Sequence, residues 1–121
     1  MTSYSSDKER DERIRNEVIV DAYTPDEQAI SWCYYLERRL SFPFQARCIE
    51  TRVMSPLEED EVVRVVGMID EVTSEMFVEI EWMDRTFGVP LAQLEPIDPD
   101  KDTREAINDW HYWEGDGTRI R

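Results

Sequence analysis

The sequence predicts a small α+β domain in which one helix precedes, and another follows, an SH3-like antiparallel β-barrel. The apolar residues recur with a helical period before residue 41, with a period of two from residue 46, and with a helical period again after residue 100. Short strands separated by turn residues fill the middle segment, and a proline-bounded turn precedes the last of them. At 121 residues the chain is long enough for one domain with a modest core.

The N-terminal segment divides into two parts. Residues 1–13 are predicted as a mobile polar tail, because no apolar residue follows Tyr4 there. The single domain is predicted to span 14–114, followed by a short tail at 115–121. In residues 14–23, Ile14 and Val18 have helical spacing, whereas the run of Val and Ile at 18–20 is typical of a short strand; helix is the preferred interpretation.

A clear helix start follows at Thr24. Thr24 is the predicted N-cap, Pro25 takes the first helical position, and Glu27 completes a capping box. The helix is predicted to run to about Leu40, before the proline at 43. Its buried face consists of Ala29, Trp32, Cys33, Leu36 and Leu40.

The strands are predicted from alternation and turn residues at 46–53, 62–69, 76–83 and 86–89, with a last short strand near Ile97. In 76–83, Met76, Val78 and Ile80 alternate with carboxylates and predict a half-buried strand. A tight reversal is predicted at Asp84-Arg85, and a single 3₁₀ turn lies within Pro90–Pro96. The C-terminal helix carries its apolar residues on one face: Ala106, Ile107, Trp110 and Trp113.

Charge limits the classes of partner. The chain has 28 acidic residues against 14 Lys plus Arg, a net charge of −14. This balance argues against nucleic acid and favours metal cations or basic proteins. No apolar run approaches the roughly 20 residues of a membrane span, and no signal-peptide core is present. We therefore expect a cytoplasmic monomer whose two cysteines, Cys33 and Cys48, are reduced.

The sequence favours a non-enzymatic protein. Its one histidine, His111, lies among aromatic residues, where a packed structural role is expected. No phosphate-binding glycine loop, nucleophile elbow or histidine zinc pair appears. Cys33, Cys48 and His111 are too scattered to indicate a metal site by themselves. An enzyme acting through paired carboxylates would require a concave pocket beside them.

The first-choice metal site lies around the start of the C-terminal helix. Three aspartates alternate before the helix, and an acidic stripe follows along it at i, i+3 and i+7, where the charges repel one another. A hard cation would relieve that repulsion. The predicted ligands are Asp98, Asp100, Asp102, Glu105 and Asp109. The alternative is a plain helix with Asp102 as N-cap and Glu105 three residues later, and both interpretations remain open.

An EF-hand can be excluded here, because position 6 of such a loop would be Thr103 instead of Gly and position 12 would be Asp109 instead of Glu. Two other acidic groups are second choices for metal ligands: Glu58, Glu59, Asp60 and Glu61, and also Asp70, Glu71 and Glu75. For each group the alternative is a solvated surface that aids solubility. Carboxylates without nearby His or Cys suit oxygen-seeking cations, calcium above all.

Short motifs spread along the chain add a resemblance. They are Val20-Asp21-Ala22-Tyr23, Glu27-Gln28-Ala29, Trp32-x-Tyr34-Tyr35-Leu36-Glu37, Phe42-Pro43-Phe44-x-Ala46-Arg47-Cys48, Ser55-Pro56-Leu57, Val89-Pro90-Leu91-x-Gln93-Leu94-Glu95-Pro96 and Asp109-Trp110-His111-Tyr112-Trp113. In this order they resemble the small bacterial calcium-binding proteins of the cyanobacterial CcbP type, over residues 14–114. The resemblance implies an acidic protein that binds calcium without EF-hands. It does not supply the ligands, which rest on spacing.

Taken together, these features predict a non-EF-hand calcium-binding protein that acts as an intracellular calcium buffer or sensor through clustered carboxylates. The alternative is an acidic SH3-like interaction module that docks a basic partner or mimics nucleic acid. A calcium site needs a few convergent oxygens, whereas a mimic needs charge spread over a broad face.

Overall fold

The computed structural model describes residues 3–69 and 75–115, and for residues 3–7 and 115 it describes the backbone alone. The helices are α1 (Ser3–Arg13), which continues into a π-helical segment (Ile14–Val18), α2 (Pro25–Arg39), a 3₁₀ turn (Leu91–Gln93) and α3 (Lys101–Gly115). The strands are β1 (Phe44–Cys48), β2 (Val62–Met68), β3 (Phe77–Trp82), β4 (Arg85–Pro90) and β5 (Leu94–Ile97).

The five strands form one antiparallel sheet in the order β4-β3-β2-β1-β5. Strands β1 to β4 follow one another as a meander, and the first strand also pairs with the last. Arg47 of β1 is opposite Val62 of β2 on one side and Glu95 of β5 on the other. This order, with the 3₁₀ turn immediately before β5, is that of an SH3-like barrel, and the predicted α+β class with flanking helices is confirmed.

The β3–β4 hairpin turns one residue earlier than predicted. Trp82 pairs with Arg85, so the loop consists of Met83 and Asp84, whose φ angles are 51° and 66°. Two consecutive positive φ values define a type I′ turn, the two-residue loop whose twist matches that of the flanking strands. Asp tolerates this conformation, whereas for Met it is uncommon.

Helices α2 and α3 meet through aromatic residues. Trp32 of α2 and Trp110 of α3 are each 1% exposed, and their rings lie 5.1 Å apart at 70°. All five residues predicted for the buried face of α2 are buried. The capping box also forms as predicted, because Thr24 Oγ1 accepts from Glu27 N at 3.1 Å and Glu27 Oε1 accepts from Thr24 N at 3.3 Å.

Residues 3–13, predicted as part of a polar tail, form helix α1 instead. Ile14 and Val18 are 0% and 4% exposed in the π-helical segment that follows, which confirms helix over strand at that point. Strand β1 ends at Cys48, whereas the predicted strand extended to residue 53. At Cys48 the chain leaves the sheet: Cys48 N donates to Glu61 O, and Asp60 N donates to Cys48 O. Residues 49–61 are therefore a loop closed at its base by these bonds.

In the part of the chain that the structure describes, no helix is long and apolar enough to cross a membrane.

Candidate metal centre

Asp109, the last of the predicted ligands on α3, is fully buried against α1 and α2. Arg13 donates to both of its oxygens, from Nε at 2.8 Å and from Nη2 at 2.7 Å. Arg10 Nε lies 3.3 Å from Asp109 Oδ1, and the Tyr35 hydroxyl donates to Oδ2 at 2.9 Å. Two guanidinium groups therefore already provide the positive charge that this carboxylate requires.

The contacts around Asp109 shift the pKa values of its partners. The hydrogen bond from Arg13 to Asp109 raises the pKa of that guanidinium, so it is charged at any physiological pH. Burial, followed by the negative charge of Asp109, raises the pKa of the Tyr35 hydroxyl, which is therefore a permanent donor. Arg13 therefore stays charged and Tyr35 stays protonated across the neutral range.

The other two carboxylates of the acidic stripe also face arginines. Arg39 Nη1 lies 3.2 Å from Glu105 Oε1 and 3.9 Å from Asp102 Oδ1. Arg13 Nη1 approaches Glu105 Oε2 at 3.4 Å. Arg39 also pairs with Glu17 at 3.0 Å. The stripe predicted from the i, i+3, i+7 spacing exists, but arginines from α1 and α2 lie against it.

Asp100, not Asp102, is the N-cap of α3. Its Oδ1 accepts from Thr103 N at 2.7 Å, and its Oδ2 accepts from the Ser41 hydroxyl at 2.6 Å. Thr103 Oγ1 in turn accepts from Ser41 N at 2.9 Å. The predicted cap at Asp102 is therefore wrong by two residues, because an aspartate at 100 bonds both to the first turn of α3 and to the end of α2. The hydrogen bond from Ser41 lowers the pKa of the Asp100 carboxyl.

Asp98 is exposed and has a positive φ of 47°. Its carboxylate makes no hydrogen bond or ion pair with the part of the chain that the structure describes. Asp98, Asp100 and Ser41 line an open cavity of about 380 Å³. The hydroxyl of Thr103 and the amide of Gln45 also line this space, but Asp100, Ser41 and Thr103 are already hydrogen-bonded to one another.

The turn from Glu58 to Glu61 places four carboxylates in four consecutive residues. Glu61 N donates to Glu58 O at 3.1 Å, Glu58 N donates to Glu61 Oε1 at 3.0 Å, and Asp60 has a φ of 75°. Trp82 Nε1 holds the other oxygen of Glu61 at 3.1 Å. Asp60 lies 3.4 Å from Arg47 Nη1, and Nη2 of the same arginine binds Glu95. Glu58 and Glu59 are exposed, and neither forms an ion pair within the described residues.

Of the remaining predicted ligands, the structure describes Glu75 alone, before the start of β3. Glu75 Oε2 is 3.0 Å from Arg52 Nη1, and the Nε of the same arginine is 2.7 Å from Glu50. Asp70 and Glu71 lie outside the described residues.

Within residues 3–69 and 75–115, no three His, Cys, Asp or Glu side chains are arranged to hold a metal ion. Neither the first-choice nor the second-choice set is thus assembled into a closed site among these residues. Both cysteines are buried, and neither forms a disulfide within the described residues. His111 is largely buried beside the 3₁₀ turn, and desolvation lowers its pKa, so it is a neutral packed side chain at physiological pH.

Sequence reasoning missed the arginines that contact the stripe. Arg13 and Asp109 are 96 residues apart, and no local pattern connects them. One signal was available: Arg10 and Arg13 have i, i+3 spacing and would share a face if the segment were helical. That segment was interpreted as a tail, so its arginines were not matched with the carboxylates of α3.

The fold and these surfaces define a class: a small, strongly acidic α+β protein with an SH3-like sheet and many carboxylates available to hard cations. The chain belongs to the CcbP family of calcium-binding proteins, because the model of that family, described as "Calcium binding", matches residues 12–114. Calcium is therefore the ion, as predicted, and the family is not a known class of enzyme.

Two solved structures agree closely with this chain. One is the crystal structure of Anabaena CcbP, with 38% identity over 97% of this chain and 98% of that chain, at a TM-score of 0.81. The other is a calcium binding protein in the calcium-binding form, with 38% identity over 95% of this chain and 96% of that chain, at a TM-score of 0.80. No curated protein matches the chain.

Proposed function

We propose that this protein is a cytoplasmic calcium buffer or sensor whose ligands are the carboxylates that no arginine neutralises. The observation that carries this proposal is the division of the acidic residues into two groups. One group, which includes Asp109 and Glu105, is buried or partly buried against guanidinium groups at 3.4 Å or less; the other group, which includes Glu58 and Glu59, is exposed and has no arginine partner among the described residues. A divalent cation must compete with guanidinium groups for carboxylates of the first group, whereas the negative charge of the second group is available to it in full.

Asp109 and Glu105 fall into the arginine-bound group. A calcium ion at Asp109 would have to displace two guanidinium groups from a carboxylate that is 0% exposed. Displaced and partly buried, those arginines would repel the incoming ion. We therefore assign these two carboxylates to the structure of the helix pair and not to calcium.

The Glu58–Glu61 turn is the site that this criterion favours. The Glu61 carboxylate is already oriented by the hydrogen bond from Trp82 Nε1. The turn also places Glu58 beside it, because Glu58 N donates to Glu61 Oε1. Glu58 and Glu59 are free to move towards an ion placed between them and Glu61, while water completes the coordination. Asp60 is the fourth potential ligand, and its contact with Arg47 is exposed, hence weak.

The start of α3 is the second candidate. Asp98, Asp100 and Asp102 are exposed, and Ser41 adds an oxygen beside the first two. However, Asp100 already accepts two strong hydrogen bonds, so only its remaining lone pairs are available.

The two candidates are separated by a matched pair of double variants. Glu58→Gln with Glu59→Gln and Asp98→Asn with Asp100→Asn each remove two negative charges and keep the side-chain size. Chelator-treated protein is titrated with calcium and then with magnesium in a calorimeter. We expect the first variant to lose calcium affinity by about tenfold or more, because it removes two charge contacts with the ion. The second is expected to change affinity by no more than about threefold, through long-range charge alone.

The opposite ranking would move the site to the start of α3. If both variants bind like the parent, the ligands lie at neither place, and the assignment of the site is wrong while calcium binding stands. Absence of any calcium-dependent heat or chemical-shift change at millimolar calcium would contradict the function itself. A preference for calcium over magnesium is expected, since exposed, adjustable carboxylates do not impose the strict octahedron that magnesium requires.

A further inference from the structure

Helices α1 and α3 enclose a cavity of about 240 Å³ whose wall is basic. Arg10 and Arg13 from α1 and Lys101 and Arg104 from α3 line it, against Glu9 and Glu105. The whole chain has twice as many acidic as basic residues, whereas these four cations face three carboxylates, Glu9, Glu105 and the buried Asp109 behind the two arginines, so the local balance is reversed. Such a reversal concentrates positive potential in a concave site.

The arginines of α1 are held in place by the interior of the protein. Arg13 is fixed by its two bonds to Asp109, at 2.8 and 2.7 Å, and Arg10 lies 3.3 Å from the same carboxylate. A guanidinium group has five N–H donors; Asp109 takes two of those of Arg13, and Glu105 lies 3.4 Å from its Nη1. Because Arg13 is already ordered, a ligand that meets its remaining donors loses little further conformational entropy.

The cations of α3 stand where the helix itself disfavours them. Lys101 and Arg104 lie in the first turn of α3, beside the positive end of the helix dipole. Both are exposed, and neither forms an ion pair or a side-chain hydrogen bond within the described residues. Lys101 and Arg104 therefore repel the positive end of the helix dipole and have no acidic partner among the described residues. An anion bound between them and the two ordered arginines would relieve this repulsion.

We propose that this cavity is a binding site for a small phosphate-class oxyanion, independent of calcium binding. Arginine forks match the geometry of phosphate oxygens, and Lys101 adds a mobile point charge at the rim. The cavity is small, so it holds the phosphoryl group itself, and any organic part of a larger ligand would project into solvent. The source is therefore either free phosphate or the phosphoryl group of a nucleotide.

The test is a calorimetric titration of the full chain with inorganic phosphate and, separately, with adenosine monophosphate. A chelator is present in both, so that calcium neither binds nor precipitates. At about 0.15 M salt the Debye length is about 8 Å, which screens the repulsion from distant carboxylates but not contacts inside the cavity. Lys101→Gln with Arg104→Gln removes two cations that support no other contact. Arg64→Gln with Arg85→Gln, on β2 and β4, is the control with the same change in net charge.

We expect saturable binding of one phosphate per chain. The Lys101/Arg104 variant should weaken it by about tenfold or more, because two charge-assisted contacts are lost, and the control variant should remain within about twofold of the parent. Tighter binding of the nucleotide supports the proposal with a nucleotide as the source. Equal or tighter binding of inorganic phosphate supports it with free phosphate as a sufficient ligand. No saturable binding by the parent, or equal weakening in both variants, would overturn it.

Discussion

Asp109 shows how a single carboxylate can be either a ligand or part of the interior, depending on residues far away in sequence. Its two oxygens face Arg10, Arg13 and Tyr35, and none of its surface is exposed. The stripe pattern correctly placed it on one face of α3. The pattern could not identify what covers that face, because the covering arginines come from the other end of the chain.

Asp109→Asn tests this structural role. The amide keeps the shape but removes the buried negative charge that Arg10 and Arg13 both contact. We expect the free energy of unfolding, measured by urea denaturation, to fall by about 3–5 kcal/mol. Asp102→Asn removes the same charge from an exposed position and is expected to change stability by less than about 0.5 kcal/mol. Equal effects of the two substitutions would contradict the assignment of Asp109 to the interior.

At the scale of elements, predictions held where the signal is local. Helix α2 begins at Pro25 as predicted, because its capping box involves only residues 24–27. Helix α3 was predicted with the wrong cap, since three aspartates at alternate positions all qualify as caps locally. The choice among them depends on Ser41, which bonds to Asp100 and Thr103 from the end of α2. Helix α1 was missed because it has no apolar face to reveal its period.

The start of α3 gives a prediction about acid stability. Hydrogen bonding from Ser41 depresses the pKa of Asp100 in the folded state. A depressed carboxyl pKa adds stability above the unfolded value of about 3.9, and that stability is lost as the pH falls through the folded value. We expect Asp100→Ala to lower the melting temperature at pH 7 and to flatten its decline below about pH 4.

Asp102→Ala is the control, because Asp102 neither caps the helix nor bonds to Ser41. It should melt like the parent at pH 7 and keep the parent's decline in acid. A larger loss of stability from Asp102→Ala than from Asp100→Ala would place the cap at residue 102 after all.

For the whole molecule, the succession of strands and the position of the 3₁₀ turn before the last strand were predictable because β1 to β4 pair in chain order; β5 is the exception, since it pairs with β1. The candidate site was predictable only as a set of carboxylates. Which of them remain available to calcium depends on the placement of Arg10, Arg13, Arg39 and Arg52, and each of these contacts a carboxylate distant in sequence. The net charge of −14 is therefore unevenly neutralised: arginines pair with the carboxylates on the interior side of α3, whereas Glu58 and Glu59 are exposed and have no arginine partner among the described residues.

That distinction predicts how calcium stabilises the whole fold. An ion that binds the folded state alone, at about 100 times its dissociation constant, adds about 2.7 kcal/mol to the free energy of unfolding. At the same free calcium, a tenfold weaker Glu58→Gln, Glu59→Gln variant should gain only about 1.4 kcal/mol. The measurement is urea denaturation with calcium and with chelator at equal ionic strength. Sodium at matched ionic strength screens the whole charge and should stabilise parent and variant alike. A gain from sodium as large as the gain from calcium would mean that general screening, and not a defined site, is responsible.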